Sequence, residues 1–413
     1  MKESIRIENI CIDSNKIEII YSISEGLNTF FSEKEKSFWI EYSEDISSVP
    51  PGIAVIPFVC NVLPIIWLTD SVLYLSSIDK TFYDSIKEFK QGYVNMYPML
   101  EFKGSVEPQK IVDNHYGTDG GNAAFFSGGV DAFTTLICHR SEHPTLITLR
   151  GADVKLDDTE GWTNVYNHLQ DTVKQFNLPT PICVTSNFRT FIDEGRLSQL
   201  VVKSNDGWWH GFQHGIGILS QAAPIAYIRR LAIIYIASSN TKEEITTCAS
   251  DPTIDNFIRF GKTLIVHDQY EKNRQKKIET IVDYCKETNQ TIDTRVCWIS
   301  RGGRNCCHCE KCLRTMFAFM AEGESPEKYG FNYKDADIVN SQSIVREVLY
   351  NTNDVVRGNW KYTINRFNET GAYKDDPRIN WVYALDPYAK KPSPPKPSLL
   401  TRIVRKIRRT LKS

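Results

Sequence analysis

The run Ala123-Ala124-Phe125-Phe126-Ser127-Gly128-Gly129-Val130-Asp131-Ala132 joins an apolar strand to the start of a helix through a two-glycine turn. Such a turn leaves backbone N–H groups free at the positive end of the helix, where they can surround an anion. Glycine suits it because a Cβ would hold the backbone away from phosphate oxygens, and because the turn is expected to enter positive φ. Ser127 adds a hydroxyl donor. Asp131 would repel phosphates unless it binds Mg2+ or accepts the turn's own N–H groups. The expected chemistry of Ser127, Gly128, Gly129, Val130 and Asp131 is therefore phosphate binding, with Asp131 at the reacting end.

A second set of reactive residues follows. Cys297, Cys306, Cys309 and Cys312 have the spacing C-x8-C-x2-C-x2-C, with Cys307 as a spare thiol inside it and His308 between ligands. Four thiolates gathered by two-residue spacers suit a closed tetrahedral Zn2+ site, and an iron–sulfur cluster is the alternative. Eleven cysteines, five of them crowded into one loop, fit a reducing cytosol better than a disulfide scaffold.

Ser127-Gly128-Gly129-Val130-Asp131 resembles the Ser-Gly-Gly-x-Asp-Ser signature of the PP-loop ATP pyrophosphatases, which cleave ATP between its α and β phosphates and adenylate a substrate oxygen. The chain departs from the signature at Ala132, where the family has a hydroxyl, and Thr134 or Thr135 is the candidate to replace it. With the cysteine pattern about 170 residues downstream, residues 120–315 are similar to the 7-cyano-7-deazaguanine synthase (QueC-like) family, in which four cysteines hold a structural zinc near the substrate. The resemblance implies ATP, Mg2+ and Zn2+ as cofactors, and adenine received at the end of the second strand, at Leu149, Arg150 and Gly151. The extra residues on both sides of the matched region imply a paralogue with another substrate. Tyr235-Ile236-Ala237-Ser238-Ser239, Ser250-Asp251-Pro252 and the stretch around Cys309-Glu310-Lys311-Cys312 also resemble PP-loop proteins associated with surface-polysaccharide genes.

These groups need a scaffold. From residue 120 onward strand and helix signals alternate as a parallel sheet requires, with strands at 123–126, 145–149, 182–185, 231–237 and 263–266. Ligands of open α/β sheets sit beyond the carboxyl ends of the strands. That rule selects Arg150 to Asp153, Ser186-Asn187, Ser238-Ser239 and His267-Asp268. Between the third and fourth strands His210 and His214 lie four apart on one helical face. His214 is expected to reach nucleotide or substrate, and Trp209 to fill an interface. Asp251 and Asp255 offer Mg2+ binding or helix capping. Of Arg301, Arg304 and Arg314 around the cysteines, Arg314 is the expected ligand for a substrate carboxylate or for pyrophosphate.

At 413 residues the chain exceeds one compact core. The expected fold class is α/β, divided into a mixed α/β accessory domain (1–115), a PP-loop ATP-binding domain with the zinc loop (116–320), a helical extension (321–386) and a Pro-rich linker with a basic tail (387–413). With 41% hydrophobic and 24% charged residues the chain is globular rather than disordered. Its start lacks a signal-peptide core. The apolar run from Ile53 to Leu68 carries Pro57, Asn61 and Pro64 and is too short for a bilayer, so it is expected as buried strand and helix. Nine basic and no acidic residues follow Asp386, which gives the preceding body a charge of −1 − 9 = −10. The tail at 398–413 is amphipathic and suits an anionic membrane surface. The expectation is a cytoplasmic enzyme with peripheral contact to the inner membrane surface, a small carboxylate or amide substrate, a nitrogen-donor partner, a homodimeric state, and little affinity for nucleic acid. Sulfur insertion into RNA with Cys307 or a cluster-bound sulfur as carrier, and an ATP-binding scaffold, are the alternatives.

Overall fold

The computed structural model describes residues 2–244 and 246–391, and the basic tail lies outside the described residues. Eleven strands occur among them: β1 (Ser4–Asp13), β2 (Lys16–Ile23), β3 (Phe38–Tyr42), β4 (Val72–Asp79), β5 (Ser105–Val112), β6 (Asn122–Phe125), β7 (Thr145–Arg150), β8 (Ile182–Ser186), β9 (Ile233–Ala237), β10 (Arg259–Phe260) and β11 (Thr263–Asp268). They form one sheet in the order β10-β11-β9-β6-β7-β8-β3-β2-β1-β4-β5. The five segments expected as parallel strands lie side by side as β11, β9, β6, β7 and β8, all parallel. Parallel neighbours need crossovers, and helices supply them, among them Val130–His139 after β6 and Thr159–Gln175 after β7.

Alternation along β6 shows how the layers are held. Ala123 and Phe125 enter a core on one face of the sheet, while Ala124 and Phe126 enter a second core on the other. The second core includes Phe133, Ile278 and Phe317 from the helices Val130–His139, Arg274–Thr288 and Glu310–Ala321. The result is an α/β fold with a large, mostly parallel sheet flanked by helices.

The N-terminal 112 residues add β3, β2, β1, β4 and β5 to this same sheet. β3 pairs antiparallel with β8 through Ile40↔Ser186, Glu41↔Thr185 and Tyr42↔Val184. Ile5, Ile40 and Phe58 share one contiguous core with Phe125, Ile147 and Val184. The run from Ile53 to Leu68 is helical and not partly strand: a turn at Pro51–Ala54 leads into the helix Ile56–Leu68. An apolar run that is buried on all sides has no periodicity to separate strand from helix, and here every residue from Ile56 to Trp67 is buried. Asn61 is satisfied inside it, donating to Pro57 O at 2.8 Å and accepting from Gln213 Nε2 at 2.7 Å. No helix among the described residues is long and apolar enough to cross a membrane.

From β6 the sheet grows one way through β7 and β8 and the other way through β9 and β11. This reversal is a topological switch point, and the loops leaving the carboxyl ends of β6 and β9 part there. A cleft of about 760 Å³ opens between them.

Candidate functional site

The turn after β6 enters positive φ, as expected, at Gly128. Gly128 takes φ +74°, and a Cβ there would lie 2.8 Å from His168 Cε1. Gly129 has φ −84° and ψ 172°, and is the N-cap of Val130–His139 with no side chain capping it. The Gly129 carbonyl accepts Phe133 N–H at 3.0 Å, so the N–H groups of Val130, Asp131 and Ala132 form the open first turn of the helix. Ser127, Gly129, Val130, Asp131 and Ala132 all line the cleft. Neither threonine replaces the missing hydroxyl at Ala132. Thr134 Oγ1 donates to Val130 O at 2.9 Å and Thr135 Oγ1 to Asp268 at 2.7 Å, both buried in the body of the helix contact.

Asp131 is held by cations, not by the turn. Its Oδ2 accepts from Arg274 Nη1 at 2.8 Å, and its Oδ1 lies 3.2 Å from Lys277 Nζ as an ion pair without a directed hydrogen bond. Burial pushes the carboxyl up, but Arg274, Lys277 and Lys311 outweigh it and hold Asp131 at about 2. Lys277 is buried and also donates to the Ser238 carbonyl. Burial, followed by the nearby Arg274 charge, pushes the Lys311 ammonium down. Arg295 donates from Nη2 to Ser127 O at 3.0 Å and from its backbone N–H to Gly128 O at 2.7 Å. Arg189, Arg274, Arg295 and Lys311 line the cleft against Asp131, Asp153 and Glu194, a surplus of 4 − 3 = 1 positive charge, with Lys277 buried behind Asp131. Arg274 Nε and Arg295 Nε are buried without a hydrogen-bond partner among the described residues. A buried donor left so costs on the order of 1–3 kcal/mol, which an anionic ligand would relieve.

No family model matches the chain, and no curated protein matches it either.

Among the other expected residues, Leu149 lines the cleft with Ile147, Ala152 and Val154 as an apolar slot. β6 ends opposite Ile147, so no strand flanks Leu149 on that side. Gly151 is required by φ +104° and by Ser186 O, which a Cβ would meet at 2.0 Å. Arg150 turns out of the cleft, donating to Leu156 O at 2.6 Å. Ser239 faces the cleft, whereas Ser238 is buried and its hydroxyl donates to Asn240 O at 2.6 Å. His214 lines the cleft, edge-on to Trp209 with ring centroids 5.0 Å apart. Trp209 also lines the cleft instead of filling an interface, with the Arg189 guanidinium 3.9 Å from its ring. Arg314 does not line the cleft, and its Nε lies 3.0 Å from Glu310 Oε1. Asp251 caps the short helix Pro252–Asp255 through Thr253 N–H at 2.8 Å, and Asp255 is buried against Ser250 and His267. Asn187 is structural too: it joins the end of β8 to β3 and the residue before it, accepting Trp39 N–H at 2.9 Å and donating to Ser37 O at 2.9 Å.

The sulfur atoms of Cys297, Cys306, Cys309 and Cys312 all lie within 4.8 Å of one another, with Cys297–Cys309 at 4.0 Å and Cys306–Cys312 at 3.8 Å. A tetrahedron with metal–sulfur bonds of about 2.3 Å has edges of about 3.8 Å. The four thiols could therefore hold a metal ion such as zinc. Backbone N–H groups of Ser300, Cys309 and Cys312 point at the sulfurs of Cys297, Cys306 and Cys309 at 3.4, 3.3 and 3.5 Å, which favours thiolate. Cys307 is buried outside this set and does not line the cleft. Cys297 and Trp298 do line it, so the cysteine loop forms one wall.

The cations Arg274, Lys277, Lys311 and Arg295 are the residues that sequence reasoning missed. A signal existed for three of them. Arg274 opens the helix after β11, N-capped by Asn273, with Lys277 one turn on, so the strand-end rule stopped six residues short at Asp268. Lys311 lies inside the cysteine motif itself. Nothing in the local sequence marks Arg295.

Proposed function

We propose that the chain is an ATP-dependent enzyme of the PP-loop type. It adenylates a carboxylate or amide oxygen of a small molecule, releases pyrophosphate, and then forms a C–N bond with an amine or ammonia. The observation that carries this reading is the cradle: a glycine turn and an open helix N-terminus at the switch point of a parallel sheet, bordered by Arg274, Arg295 and Lys311. The outer phosphoryl groups would take the N–H groups of Val130 to Ala132 together with Arg274, Lys311 and Arg295, and Leu149 to Gly151 would receive adenine in the apolar slot. Fixed donors aimed at a departing pyrophosphate stabilise it without reorganisation, and loss of one typically costs about 10²-fold in rate. Asp131, with both oxygens engaged by cations, does not fit as an Mg2+ ligand; it positions Arg274 and Lys277, and Mg2+ would arrive with the nucleotide to neutralise its phosphates. Zinc in the four-cysteine site would brace the cleft wall.

Titration calorimetry with ATP and Mg2+ tests the reading first, and saturable heat is expected. ATP–pyrophosphate exchange with a panel of acids and amides tests the adenylation. A flat titration of the folded protein would sink the proposal.

A further inference from the structure

A second group of reactive side chains lines the same cleft: Cys248, His210 and His214. Cys248 lies in the loop after β9, is 4% exposed, and its sulfur accepts Ser250 N–H at 3.4 Å. The histidines come from the wide turn Trp209–Gln213 and the helix that follows it. Loop and turn are tied together, because Ala249 N–H donates to His210 O at 2.8 Å. His210 Nδ1 lies 2.9 Å from Asp206 Oδ1, which orients the ring. Asp206 is fixed in turn: it accepts Tyr97 OH at 2.8 Å, Thr247 Oγ1 at 2.9 Å and Gly207 N–H at 2.8 Å.

An imidazole oriented by a carboxylate, and a thiol that the Ala249–His210 backbone bond holds in the same cleft wall, supply a base and a nucleophile. Burial pushes the Cys248 thiol up, but His210 and His214 outweigh burial and bring it to about 6. The hydrogen bond to Asp206, followed by the nearby Cys248 thiol, raises His210 to about 10. The neighbouring Tyr93 and Tyr97 hydroxyls are pushed up by burial and stay neutral. A thiolate–imidazolium pair therefore spans neutral pH. Metal binding is the competing use of such residues. Among the described residues, however, only the four-cysteine set brings three or more of these ligand atoms within 4.8 Å of one another.

We propose that Cys248 is a catalytic nucleophile that takes the acyl group from the adenylate made in this cleft, with His210 as its base and Asp206 as a positioning residue. The proposal rests on the adenylating reading above. His210 takes the thiol proton, and the sulfur pair attacks the acyl carbon. The C–O bond to AMP breaks, AMP leaves with that electron pair, and a thioester remains. The amine then attacks the thioester, sulfur leaves as thiolate, and the surplus amine proton passes to His214, whose buried Nδ1 has no partner among the described residues. A thioester resists water better than an acyl adenylate, which guards the activated group until the amine arrives.

The test uses the full chain and p-nitrophenyl acetate, with no ATP. A burst of one p-nitrophenolate per chain is expected, with the acetyl group on the peptide carrying Cys248 and a half-maximal rate near pH 6, the value of the thiol. Cys248→Ser removes the burst. His210→Asn slows it by on the order of 10²-fold, and both His210→Asn and Asp206→Asn move the midpoint toward the ordinary thiol value of about 8.5. If Cys248→Ser does not fold, iodoacetamide labelling of the native wild type, mapped by mass spectrometry over the same pH range, answers the same question. Acetyl on another residue, no burst, or a midpoint near 8.5 in the wild type would overturn the nucleophile. A burst without ATP heat removes the adenylate as acyl donor and leaves the nucleophile; ATP heat without a burst does the reverse.

Discussion

The all-parallel half of the sheet and the mixed N-terminal half share a core, yet they differ in where their turns go. β6, β7, β8, β9 and β11 run in one direction, so every carboxyl end lies on one rim and the following loops meet there. β3, β2 and β1 alternate, and their connections divide between both rims. The glycine turn, the cysteine loop, Ser239 and the Cys248 loop all collect on the parallel half as a result. Direction of the strands, more than composition, decides which half can assemble a site.

The sharpest way to separate the halves is through the cysteine loop. Chelation, or Cys309→Ser, should release one zinc per chain by elemental analysis, since structural zinc contributes on the order of 10 kcal/mol in small zinc modules. Hydrogen exchange should then rise across residues 294–321 and stay unchanged in β1 to β3. Equal rises in both would break the comparison.

A core substitution tests the opposite claim, that the halves are one cooperative unit. Phe58→Ala should cost about 3–5 kcal/mol and still give a single melting transition, because Phe58 shares its core with Phe125 and Val184. Two separated transitions would mean that the N-terminal strands fold apart. ATP heat per folded molecule should not change.

At the cradle, Gly128→Val places a Cβ against His168 in a backbone at φ +74°. ATP affinity should drop by about 10²-fold or more while the metal content stays at the wild-type level. Retained affinity would show that the turn is not the phosphate site.

Asp131 supplies the smallest of these effects. Its folded carboxyl, at about 2, lies below the ordinary 3.8, so the stabilisation is present above the ordinary value and disappears as pH falls through the folded one. That difference is worth about 2 kcal/mol. Acid titration of wild type and Asp131→Asn should therefore converge between pH 3.8 and 2. A gap that persists below pH 2 would mean that the ion pairs with Arg274 and Lys277 are not its source.

Local features were legible in the sequence and long-range ones were not. The five parallel strands and the positive φ of Gly128 follow from short runs of residues, and so does the convergence of the four thiols. The addition of β3 to β8 depends on pairing over about 145 residues, which no periodicity encodes. The same holds for the site. Arg274 reaches Asp131 across 143 residues, and Arg295 reaches Ser127 across 168, so the cations that define the cradle leave no local pattern. Cys248 escaped for a related reason: its partners His210 and Asp206 are brought to it by the fold and precede it by a whole strand.

The way the sheet ends also limits how copies of the chain can associate. Unpaired backbone groups along an outermost strand are a template on which another molecule can polymerise. β10 offers only two residues, Arg259–Phe260, and β5 carries Glu107, Pro108 and Lys110 along its length. Charge and a missing N–H spoil that template. Self-association by continued strand pairing is thereby discouraged at both flanks of the sheet among the described residues.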